Sequence, residues 1–259
     1  TALNTVKVTI SEGMEVHQIV DVLVKNEVCE KAELEKALAG GDFDYDFVGN
    51  LPKGKITRLE GYLFPDTYDF YVNDDPERVI KKMLEGFDHS FTDVMRENLE
   101  KVEGYTIREI IIIASMIEKE AASSSESFTV SSVIFNRLNN PTKYPYLNID
   151  ATLLYYLGKQ ELTDEDLKDT TNPYNTYTNK GLPPGAISNP SRNSIAAAIT
   201  PEETYEKDEN GEVKLDKNGK PTRIYYYYYA LNPATNLHKF SVTLEEHNKF
   251  LESLKKEAQ

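Results

Sequence analysis

The chain reads as an α+β protein: a small N-terminal α/β module over residues 1–72, packed beside a mixed α+β domain over 73–259. Three observations predict it. A strand-like alternation at residues 5–12 is followed at once by two amphipathic helices. A long, almost wholly apolar helix occupies residues 106–122. Later helices and strands mix without regular βαβ alternation or internal repeat, which argues against a parallel doubly wound sheet.

In order, residues 5–12 (TVKVTISE) alternate as a half-buried strand does. Val16, Ile19, Val20, Val22, Leu23 and Val28 then recur at helical spacing, with Ser11 or Glu12 near the start. Residues 31–39 form a second helix, stopped by Gly40-Gly41. The stretch LEGYLFPDTYDFY is too apolar for a free linker, and Pro65 breaks it into turn and strand. Residues 76–101 read as helix. Thr106 caps the central helix while Glu109 reaches back, a capping box. Beyond the link SSSES comes a helix over 129–138, then a Tyr- and Pro-rich loop at 144–150 and a short helix at 151–157. TDEDLKDTT is acidic and exposed, and residues 174–190 form a loop of turn formers. A small helix at 191–199 ends before Pro201, residues 205–222 make a long polar hairpin turn, and a strand at 225–230 pairs with 238–242. The last helix runs over 244–256.

Composition narrows the function. With 39% apolar and 28% charged residues the chain is globular rather than disordered. Forty-three acidic against 29 basic residues leave a net charge of −14, which repels nucleic acid and anionic membrane. The single Cys29 excludes an internal disulfide and reads as a small buried apolar residue. No apolar run is long enough to span a membrane and no leader is visible, so location must be inferred indirectly. GxSxG, HExxH, P-loop and GxGxxG patterns are absent. The four histidines are scattered, so neither a metal nor a cofactor is expected, and His247 reads as surface or satisfied core.

Chemistry concentrates in TIREIIIIASMIEKEAA. Glu118 and Glu120 sit on the last turns of an apolar helix, about 200° apart around its axis. Leaving water disfavours a carboxylate, so such a site suits a general acid. Glu120 shares its side with Ile113 and Met116, and Glu118 shares its side with Ile111, Ala114 and Ser115. Helical geometry does not choose between them, and either could simply emerge at the surface. The loop YNTYTNKGLPPGAISNP offers amides, hydroxyls and aromatic faces together, the mixture a sugar asks for. With 17 Tyr and no Trp, tyrosine must supply any stacking. The run Tyr225 to Tyr229 alternates between strand faces, and core packing explains about half of it.

Six segments in one order, VTISEGMEVHQIVDVL, LEGYLFPDTYDF, IIASMIEKEA, VSSVIFNRL, YNTYTNKGLPPGAISNPSRNSI and HKFSVTLEEHN, resemble the endolytic murein transglycosylases of the YceG-like (MltG) family over nearly the whole chain. The resemblance implies a LysM-like N-terminal module and a bacterial cell-wall enzyme on the extracytoplasmic face, held by an N-terminal membrane helix absent from this sequence. It implies peptidoglycan glycan strands as partner, together with proteins of wall synthesis. It puts the catalytic glutamate in the segment matching ASMIEKEA, carried here to Glu120 with Glu118 as alternative. Tyr174, Asn175, Tyr177, Thr178, Asp150 and Asn136 are expected to bind the substrate. The implied reaction cleaves the MurNAc–GlcNAc β-1,4 bond and leaves 1,6-anhydro ends. A glutamate at the ordinary pKa of about 4.3 is only roughly 0.2% protonated at pH 7, and one near 6 roughly 10%. Competing expectations are a muramidase-type hydrolase, needing a second carboxylate such as Asp66, Asp150 or Glu60, and a glycan-binding scaffold without turnover.

Overall fold

A computed structural model describes residues 4–102 and 104–257. The alternation near the N-terminus builds β1 (Thr5–Thr9), which pairs antiparallel with β2 (Thr67–Tyr71) in the register Val6↔Phe70 and Val8↔Tyr68. Val8, Tyr68 and Phe70 turn inward, giving the two-stranded sheet one dry face. Between these strands lie α1 (Val16–Lys25) and α2 (Lys31–Gly40), burying Val16, Ile19, Val20, Leu23, Leu34 and Leu38. Helix α1 begins later than the spacing suggests. Glu15 precedes its first turn, with its N–H taken by Gln18 Oε1 at 2.9 Å. Ser11 and Glu12 belong instead to the preceding turn, where Gly13 N donates to Asn189 O at 2.9 Å.

The long helical stretch divides into α3 (Pro76–Ser90) and α4 (Asp93–Lys101), each with an N-cap side chain, Asp75 and Thr92. Helix α3 packs on α2 and buries Val79, Ile80, Met83, Leu84 and Phe87. The apolar core therefore runs without a break across residues 72 and 73, from Val8 to Ile199.

Helix α5 (Ile107–Glu120) is the axis of the larger part. The capping box forms: Thr106 Oγ1 accepts from Glu109 N, and Glu109 Oε2 accepts from Thr106 N at 2.8 Å. All residues from Ile110 to Ile117 are at most 4% exposed. A helix apolar all round must be enclosed, and each isoleucine contributes about 1.5–3 kcal/mol by its burial. Helices α6 (Ser127–Leu138), α7 (Asp150–Leu157) and α9 (Arg192–Ile199) surround it, and α8 (Asp164–Lys168) is a short outer turn. The pair β3 (Thr204–Tyr205) and β4 (Arg223–Ile224) forms the base of an exposed polar hairpin. The hairpin β5 (Tyr228–Asn232) and β6 (Leu237–Ser241) carries α10 (Leu244–Glu257). β5 starts three residues later than expected, and the carbonyls of Tyr226 and Tyr227 point to α6, accepting from Asn136 and Arg137 at 2.9 Å each. Among the described residues no helix is long and apolar enough to cross a membrane.

Candidate functional site

Tertiary structure separates the two carboxyls that helical geometry leaves equivalent. The Glu118 side of α5 meets residues 186–194. Ser115 Oγ accepts from Ile187 N at 3.0 Å, and Glu118 Oε2 accepts from Ser191 N, Ser191 Oγ and Ser194 Oγ at 2.9, 2.7 and 2.6 Å. Ser191 is the N-cap of α9, so this carboxyl lies against the positive end of that helix.

Glu120, on the other side, opens onto a cleft of about 470 Å³ whose lining does not include Glu118. Its one side-chain donor among the described residues is the Tyr229 hydroxyl, 2.8 Å from Oε2. Burial raises the Glu120 pKa above the ordinary carboxylate value and Asp150 adds to the rise, while the Tyr229 bond, His238 and the Ala151 N–H pull against it. Burial beside Glu120 also holds the Tyr229 phenol far above its ordinary pKa, so it stays a donor. Behind Tyr229, His238 meets its ring edge-on, with centroids 5.3 Å apart. Glu126, from the serine-rich link, holds His238 by its backbone N at 2.6 Å and its Nδ1 at 3.1 Å.

The cleft walls come from distant parts of the chain. Arg137 donates Nη2 to Asn148 Oδ1 at 2.6 Å and lies over the rings of Tyr144 and Tyr228. Tyr177 donates its hydroxyl to Asp150. Tyr227 stacks on Tyr144 at 4.2 Å, and Tyr228 on His247 at 5.4 Å. The buried Nδ1 of His247 has no partner among the described residues, and burial lowers the His247 pKa. The His247 ring lines the cleft, with this nitrogen turned away from its open space. Among the described residues, no three His, Cys, Asp or Glu side chains are grouped as metal ligands.

Of the residues predicted to bind substrate, the structure brings Tyr177 and Asp150 together with Glu120. The others have different surroundings. Asn175 is fully buried and donates to the carbonyls of Asp166, Leu167 and Asp169, because an exposed loop must satisfy its own backbone. Thr178 bonds Asp169 O at 3.2 Å. Asn136 is 8% exposed, and its amide is spent on the tyrosine run. Tyr174 lines a second hollow of about 430 Å³ rather than the Glu120 cleft. The sequence reading missed Arg137, Asn148, His247 and Tyr227 to Tyr229 as cleft residues. A signal was there: five successive tyrosines carry hydroxyls that phenylalanine would serve without if packing were their whole purpose.

Of the three candidates for a second carboxylate, Asp150 alone lines the Glu120 cleft. Asp66 is exposed beside β2. Glu60 is 4% exposed and accepts from Val16 N at 3.1 Å, Tyr155 Oη at 3.0 Å and Asn189 Nδ2 at 2.8 Å. Burial pushes its pKa up to about 8 against the pull of the Val16 and Tyr155 bonds. Asn189, itself fully buried, joins the N-terminal part to α9. Its Oδ1 accepts from Gly61 N and Leu63 N, and its Nδ2 donates also to Met14 O. Gly61, at φ +95°, must be glycine, since a Cβ would stand 2.5 Å from Ile111 Cγ2 on α5.

Fold and site together describe a mixed α+β protein with a half-buried carboxyl in a tyrosine-walled cleft. The YceG-like family model matches residues 1–253, and the chain belongs to that family. It is 30% identical to an endolytic murein transglycosylase of Bacillus subtilis, over 94% of this chain and 63% of that relative. A Streptococcus pneumoniae protein of the same name is 36% identical over 56% of this chain and 27% of its own length. The chain thus spans less than two thirds of these relatives. A crystal structure of a yceG-like protein from Listeria monocytogenes superposes with a TM-score of 0.73 at 32% identity, covering 94% of this chain and 75% of that one.

Proposed function

We propose that the chain is the wall-facing part of an endolytic peptidoglycan lytic transglycosylase, with Glu120 as general acid and then base. The supporting observation is the Glu120 carboxyl itself, drawn toward its neutral form by burial and presented to a tyrosine-lined cleft. Its proton goes to the glycosidic oxygen as the MurNAc C1–O bond breaks and oxocarbenium character develops at C1. The muramyl C6 hydroxyl then closes on C1 and gives its proton to the Glu120 carboxylate. Acid and base are one group, no water is consumed, and a 1,6-anhydro end results. Tyr177 and Asp150 contact the sugar, and Tyr229 orients the carboxyl. Residues 1–72 serve as a LysM-like glycan-binding module, residues 73–259 carry the reaction, and an N-terminal helix outside this sequence holds the whole protein at the outer face of the membrane.

Asp150 supports a second reading, because it lines the same cleft and acts electrostatically on Glu120. A hydrolase would use it to activate water. Mass spectrometry of products from purified glycan decides: anhydro ends made by wild type and lost in Glu120→Gln support the transglycosylase. Reducing ends would establish hydrolysis, and undiminished anhydro product from the variant would remove Glu120 from its role.

A further inference from the structure

The hollow that holds Tyr174 lies at the other end of the helices that frame the Glu120 cleft. Helix α5 contributes Ile112 to the hollow and Glu120 to the cleft, eight positions apart, about 12 Å of axial rise. Helix α7 contributes Tyr156 to the one and Asp150 to the other, about 9 Å apart. The loop after α8 places Tyr174 in the hollow and Tyr177 in the cleft.

Its charge runs against that of the chain. In a molecule of net charge −14, the hollow is lined by Lys53, Lys55, Arg58 and Arg108. Lys53 pairs with Asp42. Arg58 and Arg108 each give one N–H to a backbone carbonyl, Gly41 O and Pro184 O, and among the described residues neither they nor Lys55 meet a carboxylate. The one acidic side chain in the lining, Glu60, is committed to Val16, Tyr155 and Asn189, and burial holds it toward its neutral form. Two donors are left over. Tyr62 is 2% exposed and its hydroxyl has no partner among the described residues, and Arg58 Nε is likewise buried and unpartnered among them. Buried donors without acceptors are costly, and a carboxylate beside arginine would satisfy them. The remaining wall is aromatic and apolar, with Tyr156, Tyr174 and Ile112. That mixture suits an acid group on an apolar body better than a phosphate, which is polar on every side.

We propose that this hollow binds the free carboxylate of a peptide branch borne by the same glycan strand whose sugars occupy the Glu120 cleft. The inference rests on the peptidoglycan reading above and makes the enzyme a reader of strands that still carry their peptides. The reach is sufficient, since three or four extended residues cover about 10–14 Å.

The test is calorimetric titration of the whole chain with peptide released from purified wall strands by amidase, the same peptide with its carboxyls amidated, and inorganic phosphate. The acid form should bind at least about tenfold more tightly than the amide, the effect of one charge-assisted contact. Lys55→Gln with Arg108→Gln, both at exposed positions, should abolish that difference, and Arg108→Lys should restore part of it. Equal binding of acid and amide, or of wild type and the double variant, would overturn the proposal. So would phosphate binding as tightly as peptide, which would make the hollow a general anion site. Titration of Glu120→Gln separates the two readings. Unchanged peptide binding by a variant that still makes anhydro ends would cost Glu120 its role and leave the hollow standing.

Discussion

On one side of α5, Glu118 accepts three hydrogen bonds from the start of α9, and nearby Glu60 and Asn189 are closed in by donors from α1, α7 and residues 61–63. On the other side, two residues along, Glu120 has a single side-chain donor among the described residues and faces an open cleft. Residue type, helix and depth are nearly the same, and the surroundings differ. A polar group whose bonding capacity is filled by the protein holds elements together. One left with spare capacity beside a cavity is free to exchange a proton with something else.

That contrast predicts two families of variant, one losing rate and the other losing stability. Glu120→Gln should have the largest effect, a fall of about 10²–10⁴-fold in turnover with little change in melting temperature. Substantial unfolding of that variant would break the comparison from the cleft side.

Glu60 should make stability depend on pH. Its pKa is near 8 in the folded protein against an ordinary 4.5, so the folded state holds its proton where the unfolded state has released it. The contribution is fully present below about pH 4.5 and is lost as pH rises toward 8. Urea unfolding across that range should show stability falling by a few kcal/mol, and Glu60→Gln should flatten the slope. A wild-type profile already flat would place the proton elsewhere.

Asn189→Ala strands the N–H groups of Gly61 and Leu63 and takes a donor from Glu60, while the carbonyl of Met14 keeps the backbone N–H of residue 189. It should cost about 3 kcal/mol, seen as a fall of about 6–12 °C in Tm. Glu118→Gln keeps an acceptor but removes the charge at the α9 N-terminus, for about 1–2 kcal/mol of stability and nearly unchanged kcat. Loss of turnover there at full stability would merge the two regions and return Glu118 to consideration. Tyr229→Phe has the smallest and most specific effect. The hydroxyl favours the ionised form of Glu120, so its removal raises the Glu120 pKa further. The alkaline limb of the pH–rate profile should then move to higher pH, and movement the other way would show that Tyr229 does not act on Glu120 through this bond.

Local patterns made most of the elements legible: the capping box at Thr106, the Gly40-Gly41 stop and the alternation in β1 depend on neighbours a few residues away. The start of α1 was harder to read, because residues 11–15 answer to Asn189, far along the chain. The loop at 174–190 likewise looked like one sugar-binding surface, yet Asn175 turns inward while Tyr174 and Tyr177 part to different cavities.

From the residues alone come the α+β class, the buried central helix and the pair of glutamates at its end, since periodicity and capping act over one or two turns. Which glutamate meets a cleft was decided only when α9 and the tyrosine hairpin closed on opposite sides of α5. Helical spacing sets the angle between two side chains. The chain segments that come to rest beside each of them, from 70 to 110 positions away, determine what it can bond to.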